Sequence, residues 1–245
     1  MSNSIEILFA ETGAELRKTF RSPEFVIPTL ALPTCFYLLF GIMLSRGGAA
    51  ETLLATYGVF AVMGPAIFGF GAGVATERER GWLDIKRVSP APAWSYIGAK
   101  LLATVVFAVF ALLPIYVAAA TLGGVALERS AWLGLLVTHL LAVFPFSLLG
   151  LALGFRFGAN AAVAMSNLCF LSLAVLGGLW FPITLFPSVM QNVALGLPSF
   201  HLAEVALSFT GVAANTGTAD NIAMICIMTT VLAGLAGLAW QGQRS

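Results

Sequence analysis

The sequence predicts an all-α membrane protein with six transmembrane helices, an N-terminal amphipathic interfacial helix, and a short re-entrant helix pair before the last span. Of its 245 residues, 59% are hydrophobic and only 9% are charged, which is too little polar material to cover a water-soluble protein of this size. Lysine and arginine are absent from Phe157 to Gln243, while five of them lie between Arg78 and Lys100. This asymmetry predicts a single orientation in a bilayer.

The first predicted element is an amphipathic helix over residues 4–21. Apolar side chains recur there at helical spacing, and charged side chains occupy the other faces. We expect this helix to lie along the membrane surface. Three glutamates precede the first apolar run, so we expect no cleaved signal peptide. Ser22 and Pro23 are typical of an N-cap and first helical residue, and they predict that a second helix begins there.

The transmembrane helices are predicted from long apolar runs. A helix needs about 20 mainly apolar residues to cross the hydrocarbon core. The chain has six such runs, at residues 25–44, 53–75, 98–121, 132–154, 159–180 and 221–240. All five tryptophans lie near the ends of these runs, as expected of rings at the headgroup level.

The orientation follows from the basic residues. An even number of spans places both termini on one side of the membrane. That side holds ten of the twelve basic residues, and the other side holds only Arg46 and Arg129. The positive-inside rule therefore predicts a multi-pass protein of the cell (inner) membrane, with cytoplasmic termini and a cytoplasmic loop at residues 76–97.

Residues 181–210 are apolar but unsuited to a single crossing. Pro182, Pro187 and Pro198 divide them into pieces too short to span a bilayer. A pair of short helices that enters from the outer surface and returns fits this pattern, because irregular backbone at that depth has to be buried in protein.

The loop at residues 76–97 carries the densest charge. It could be an ordinary solvated connection whose positive charges only set the topology. However, the loop has an apolar component that such a connection does not need, made up of Trp82, Leu83, Ile85 and Val88. Gly81 and Pro90 enclose about two helical turns, so the loop could also form a short helix that docks into a groove on another protein.

The stretch from Glu77 to Gly81 resembles the Glu-Arg-x-x-Gly-like run that precedes the coupling helix in ABC-2 type transporter permeases. The order of the remaining elements is similar to that family, including the proline-broken segment after Gly177 to Pro182. The resemblance implies one transmembrane domain over residues 1–245, in an ATP-driven exporter that pairs two permeases with two cytoplasmic ATPases. The sequence contains no Gly-x-x-x-x-Gly-Lys-Ser/Thr motif, so ATP and Mg would bind a separate ATPase chain and this chain would hold no cofactor.

The resemblance also implies roles for individual residues. Trp82 to Val88 would form the coupling helix. Three of its polar side chains would face the ATPase: Asp84, Lys86 and Arg87. Three residues before it would brace the second span against the surface helix: Glu77, Arg78 and Arg80.

The family arrangement further implies a substrate cavity lined by the first, second and fifth spans. This sequence offers an apolar, aromatic and nearly uncharged set there: Phe36, Tyr37, Tyr57, Phe60, Met63, Phe68, Asn167 and Phe170. Such a lining suits an apolar or amphipathic substrate, such as a lipid-linked molecule or a drug, although aromatic residues also fill ordinary helix packing.

A few other polar residues lie in the apolar part of the chain. His139 stands alone in the fourth span and is interpreted as a hydrogen-bonded structural residue, although an intramembrane ionisable group is also a functional candidate. His201 and Glu204 lie three residues apart and suggest a local hydrogen bond or a polar outer gate. They are too few for a zinc site, and we expect no metal.

Gly150, Gly154 and Gly158 repeat every four residues at the end of the fourth span. Small residues at this spacing let helices approach closely. The repeat favours tight packing within one subunit, while a subunit interface stays open as the alternative.

Two other classes of protein remain to be weighed against a permease. An intramembrane enzyme would need converging acids, histidines or metal ligands inside the spans, and the sequence offers few. A structural or assembly subunit without its own pathway is the second alternative. A net charge of +1 argues against a nucleic-acid partner; the implied partners are membrane lipid, a separate ATPase and a second permease, identical or not.

The predicted orientation can be tested by labelling single introduced cysteines. Ser89→Cys should react with a membrane-impermeant reagent only from the cytoplasmic side, and Thr216→Cys only from outside. Equal labelling of both positions in intact cells would contradict the six-span topology.

Overall fold

In a computed structural model, the chain is described at residues 2–44, 49–88, 92–212 and 214–241. The helices are α1 (Ser2–Phe20), α2 (Pro23–Phe36), α3 (Ala49–Glu79), α4 (Trp82–Val88), α5 (Ala93–Thr121), α6 (Arg129–Leu141), α7 (Val143–Arg156), α8 (Ala159–Leu176), α9 (Ser188–Ala194), α10 (Pro198–Leu207) and α11 (Thr218–Gln241). The described residues contain no β-strand.

Six helical segments are long and apolar enough to cross a membrane: Pro23–Met43, Ala49–Glu79, Trp94–Thr121, Arg129–Arg156, Ala159–Leu176 and Thr218–Gln241. They confirm the predicted all-α class and the six predicted spans. Arg46, Ser89 and Arg244, on which part of the orientation argument and its test depend, lie outside the described residues. The predicted N-terminal helix is present as α1; its place at the membrane surface remains a prediction.

Two of the six spans are not single regular α-helices. The first contains Pro28 and Pro33 and continues from α2 into a π-helix at Tyr37–Met43. The fourth, expected as one helix, breaks at Ala142 into α6 and α7. Pro145 explains the break, because it has no N–H to donate to the carbonyl one turn earlier.

The connection between α1 and α2 also differs in detail from the sequence expectation. Pro23 is the first residue of α2, as predicted. The Ser22 hydroxyl does not cap α2, however, and instead lies 3.4 Å from the Lys18 carbonyl of α1. The backbone carbonyl of Ser22 accepts from the N–H groups of Phe25 and Val26, each at 3.0 Å, and starts the helix.

Helix α3 is the central element of the fold. It packs against α2, α5, α7, α8 and α10, and side chains such as Leu54, Val62 and Ile67 have no exposed surface. Helix α11, in contrast, packs on α7 and α10 only by part of its surface. Its exposed apolar side chains, including Ile227 and Val231, suit contact with lipid chains.

The glycine repeat lies at the contact between α3 and α7. A Cβ added at Gly150 would lie 2.6 Å from the Ile67 carbonyl oxygen, and one at Gly154 would lie 2.6 Å from the Phe70 carbonyl oxygen. These two glycines therefore allow close approach of two helices of the same chain, which confirms the interpretation as packing within one subunit. Gly158 has a different place, as the N-cap residue of α8.

Residues 181–210 form a short 3₁₀ turn at Ile183–Leu185 followed by α9 and α10. Pro198 begins α10, and all ten residues of this helix are buried. The proline-broken pair of short helices is thus present. Its insertion into the membrane from one side remains a prediction.

Gly150→Ala should destabilise the fold, because the new methyl group would force α7 away from the α3 backbone. Overpacking of this kind lowers the free energy of unfolding by about 1–3 kcal/mol. We therefore expect a lower thermal unfolding midpoint for the detergent-purified chain. Gly234→Ala in α11 is the matched control, since a Cβ there meets nothing within 4 Å and both variants gain the same helix propensity. Equal midpoints for the two variants would contradict the packing argument.

Candidate functional site

A buried ion cluster joins three helices at the end of α3. The Glu77 carboxylate accepts from Lys18 of α1, from Tyr96 of α5, and from Lys100 of α5 at 3.0 Å. Glu15 of α1 adds a second carboxylate, 3.3 Å from the Lys100 ammonium. The side chains of Glu77 and Lys100 are only 7% and 5% exposed, so each depends on the other for its charge to be tolerated there.

The cluster is electrically balanced, with two ammonium groups and two carboxylates. Burial opposes the charged form of Lys18, but the Glu77 and Glu15 carboxylates outweigh it and raise the pKa of Lys18 above its ordinary 10.5. A raised pKa means that this stabilisation is fully present below 10.5 and is lost only as the pH rises through the raised value. The cluster is therefore intact at physiological pH.

Arg78 and Glu79 hold the turn between α7 and α8. The Arg78 guanidinium donates to the carbonyls of Phe155 and, at 2.7 Å, Phe157 at the end of α7. The Glu79 carboxylate accepts from the Ala159 N–H at 2.7 Å, at the start of α8. A cation at a helix C-terminus and an anion at a helix N-terminus both complement the helix dipoles.

Of the three residues expected to brace the second span against the surface helix, Glu77, Arg78 and Arg80, only Glu77 contacts α1 in the described part of the chain. Arg78 contacts the α7–α8 turn, and Arg80 is exposed. Successive side chains on a helix are about 100° apart, so residues 77 and 78 cannot both face α1.

Helix α4 has an anchored face and an exposed face. Leu83 is buried against Phe70 and Val74 of α3, and the Lys86 ammonium pairs with Glu11 of α1. Ile85 and Val88, on the other face, are 67% and 85% exposed, and Trp82 is 53% exposed and also borders the larger cavity described below.

The polar residues of α4 only partly match the expectation that they face a partner. Asp84 is exposed. Lys86 was expected to point away from the chain, but its pairing with Glu11 makes it an internal contact. The side chain of Arg87 lies outside the described residues.

Two cavities lie beside α3. The larger, of about 520 Å³, is bounded by α1, the start of α2, α3 and α5, and the Glu77 cluster forms one end of it. The smaller, of about 300 Å³, lies between α2, α3 and α8. Glu24, Phe25 and Phe68 line both cavities, so the two meet at these residues.

Half of the predicted pathway residues line the smaller cavity: Phe60, Phe68, Asn167 and Phe170. Phe36 lines neither cavity; its ring centroid lies 5.8 Å from that of Trp180, which in turn lies 5.6 Å from that of Phe60.

Tyr37, Tyr57 and Met63 do not line either of these cavities, which corrects the expectation for them. All three are fully buried in the core. The Tyr57 hydroxyl donates to the Trp180 carbonyl at 3.3 Å. For Tyr57 and Met63 the physical reason is that α3 is enclosed on most sides, so only one strip of its surface faces the cavity. Tyr37 begins the π-helix of the first span, and its hydroxyl donates to the Ala50 carbonyl at 3.2 Å.

Several cavity residues were missed by sequence reasoning. Glu24, Phe25 and Thr29 come from the first turns of α2, and Thr104 and Phe107 come from α5. The available sequence signal was the acidic Glu24 next to Phe25 at the start of a span. This signal could not show which residues of α5 line the cavity across from α2.

The three isolated ionisable residues of the apolar part have hydrogen-bond partners. His139 is fully buried, and its ring nitrogens lie 2.8 Å from the Tyr116 hydroxyl and 2.9 Å from the Ala55 carbonyl. This confirms the interpretation of His139 as a hydrogen-bonded residue. Gly58 makes room for the ring, since a side chain there would overlap the imidazole.

His201 and Glu204 bind the segment before α11, and no hydrogen bond joins them directly. His201 lies 2.7 Å from the Asn221 amide oxygen and 2.9 Å from the Leu195 carbonyl. Glu204 accepts from Asn215 and from the Thr216 N–H at 3.1 Å. Thr216 donates to Asn221 at 2.9 Å and closes the network.

The fold and this site define a multi-pass membrane protein with two cavities beside α3 and a short helix that carries exposed apolar side chains. Residues 7–210 match the family model of the ABC-2 type transporter, and the chain therefore belongs to that family, as its sequence resemblance indicated. It is 29% identical over 208 residues to the "Putative transport permease YvfS" of Bacillus subtilis (strain 168), covering 82% of this chain and 84% of that protein. The family and this relative support a membrane transport subunit.

Glu77→Gln should destabilise the chain strongly, because Lys18 and Lys100 would keep their charges beside a neutral amide. Removing one partner of a buried ion pair costs about 3–5 kcal/mol. We expect a lower thermal unfolding midpoint and a lower yield of monodisperse protein. Glu6→Gln, an exposed change in α1, is the control, and a midpoint equal to that control would show that the cluster does not hold the helices.

Proposed function

We propose that this chain is the permease subunit of an ATP-driven exporter. It forms a translocation pathway with a second permease, and a separate cytoplasmic ATPase holds ATP and Mg²⁺. Membership of the ABC-2 type transporter family supports this proposal. The observation that carries the coupling part is the exposed apolar face of α4.

Helix α4 has the features of a docking element. A helix of seven residues is not stable alone in water, so α4 depends on Leu83 and on the Lys86–Glu11 pair to keep its place. Ile85 and Val88 are exposed on the side away from Leu83, and Trp82, at the start of the helix, is half exposed and also borders the larger cavity. An apolar stripe in a strongly charged segment suits a groove on a partner protein.

The contacts of α4 supply a route for movement into the membrane part. Gly81, at φ +73°, connects α4 to α3, and few other residues adopt this left-handed conformation readily. Lys86 connects α4 to α1, and the Glu77 cluster connects α1 to α3 and α5. Closure of the ATPase pair would move α4 and, through these contacts, the helices that bound the larger cavity.

The cavities beside α3 are the proposed substrate pathway. Their walls combine aromatic and aliphatic side chains with a charged end at the Glu77 cluster. An apolar or amphipathic substrate would enter between α2 and α5 and pass toward Phe60 and Phe170. Phe36 belongs to the aromatic wall next to this route.

The His201–Glu204 network is the proposed outer gate. It ties α10 to the segment before α11 through Thr216 and Asn221. Helix α10 also packs against α3, so a shift of α3 would act on this network. Opening it would release substrate on the outer side.

The docking proposal predicts that Trp82→Ala with Ile85→Ala weakens binding to the ATPase. Truncation of a large apolar side chain at the centre of an interface typically reduces the binding free energy by about 2 kcal/mol or more. Co-purification with the partner ATPase and ATP hydrolysis by the complex should therefore fall together. Leu185→Ala with Val189→Ala is the matched control, since these side chains are 72% and 71% exposed outside α4. Unchanged binding in the α4 double variant would overturn the proposal.

Lys86 needs a separate control because it also holds α4 in place. Lys86→Glu should weaken ATPase binding by breaking the pair with Glu11. Adding Glu11→Lys restores that pair with its charges exchanged. Recovery of binding in this exchange variant would show that Lys86 acts within the chain, and continued loss would place Lys86 at the ATPase surface.

A further inference from the structure

The carboxylate of Glu24 lies where the two cavities meet, in the first turn of α2. We propose that these cavities bind a cationic amphipath, meaning an organic ammonium or phosphonium with apolar or aromatic substituents, and that Glu24 is its counter-ion. This inference rests on the proposed function and specifies its substrate class.

The distribution of charge favours a cation. In the smaller cavity, Glu24 is the only charged residue among the described residues of the lining. In the larger cavity, four of the other charged residues belong to the balanced Glu77 cluster, and the fifth is Arg80, which is exposed, as Glu24 is. Arg80 does not line the smaller cavity, so Glu24 is the charged residue, among the described residues, that borders both cavities.

Glu24 has no hydrogen bond or ion pair with any residue in the described part of the chain. Glu24 is the second residue of the first span and is exposed, so a ligand that enters either cavity can reach it. A bound cation would provide its missing partner.

The rings around Glu24 favour an organic cation over a metal ion. Phe25 and Phe68 line both cavities, and Phe60 and Phe170 line the smaller one. The Phe170 ring lies 5.1 Å from Phe60 and 5.6 Å from Phe68, measured between centroids. Aromatic faces attract ammonium and phosphonium groups through their quadrupoles, whereas a metal ion would require several more oxygen ligands.

A carboxylate in the first turn of a helix also complements the helix dipole, and this ordinary role has to be separated from ligand binding. Glu51 provides the comparison, because it occupies the first turn of α3 and lines neither cavity. Glu51→Gln therefore removes a dipole contact of the same kind and leaves the cavities unchanged.

The experiment uses the purified full-length chain in lipid nanodiscs and a benzyltriphenylphosphonium that carries a diazirine. After illumination, labelled peptides are identified by mass spectrometry. Tetraphenylphosphonium and tetraphenylborate, which have the same shape and opposite charge, serve as competitors. We expect labelling in residues 23–36, 60–68 and 163–170, with competition by the phosphonium only.

Glu24→Gln should weaken the competition by tetraphenylphosphonium about two- to fivefold, the range of a partly exposed ion pair, and Glu51→Gln should leave it unchanged. Gly64→Leu fills the smaller cavity beside Phe170 and should reduce labelling although Glu24 is present. Gly234→Leu is its control. Equal competition by tetraphenylborate, or labelling that neither Glu24→Gln nor Gly64→Leu reduces, would overturn the proposal.

The test also separates this inference from the proposed function. Labelling needs no ATPase, so a negative result would leave the docking of α4 untouched. Conversely, normal cation binding together with unchanged ATPase binding by the Trp82 and Ile85 double variant would overturn only the coupling proposal.

Discussion

The buried carboxylate of Glu77 is the contact on which the arrangement of the first half of the chain depends. It brings together α1, α3 and α5 through Lys18, Lys100 and Tyr96, and the larger cavity begins directly beside it. Helix α1 is too charged to be held by apolar burial alone. Because α4 is tied to α1, this cluster also determines where the exposed face of α4 points.

Helix α3 gives the molecule its second organising constraint. A helix enclosed on most sides can leave space only where a neighbouring helix packs less closely, and α2 is that neighbour. The prolines within α2 and the π-helix that follows it change the helix geometry and weaken regular packing. The cavities therefore lie along α2 rather than along α7, where Gly150 and Gly154 allow close contact.

The helices themselves could be predicted from the sequence, because each span is an uninterrupted apolar run and composition alone distinguishes it. The cavity lining could be predicted only in part. An apolar helix such as α3 has no polar face to show its orientation, so Tyr57 and Met63 could not be told apart from Phe60 and Phe68. The pairing of Lys86 could not be predicted for a related reason, since its partner Glu11 lies 75 positions away in the chain.

The contacts of Arg78 with the end of α7 and of Glu79 with the start of α8 have a mechanical consequence. They fasten the end of α3 to both α7 and α8, so the second, fourth and fifth spans are linked at this end and tend to move as one body. The first span has no such link at this end among the described residues, and only Pro33, Tyr37 and Gly41 of its residues are buried. Any widening of the cavities must then come mainly from tilting of the first span, which makes it the moving wall of the pathway and the remaining bundle its fixed frame.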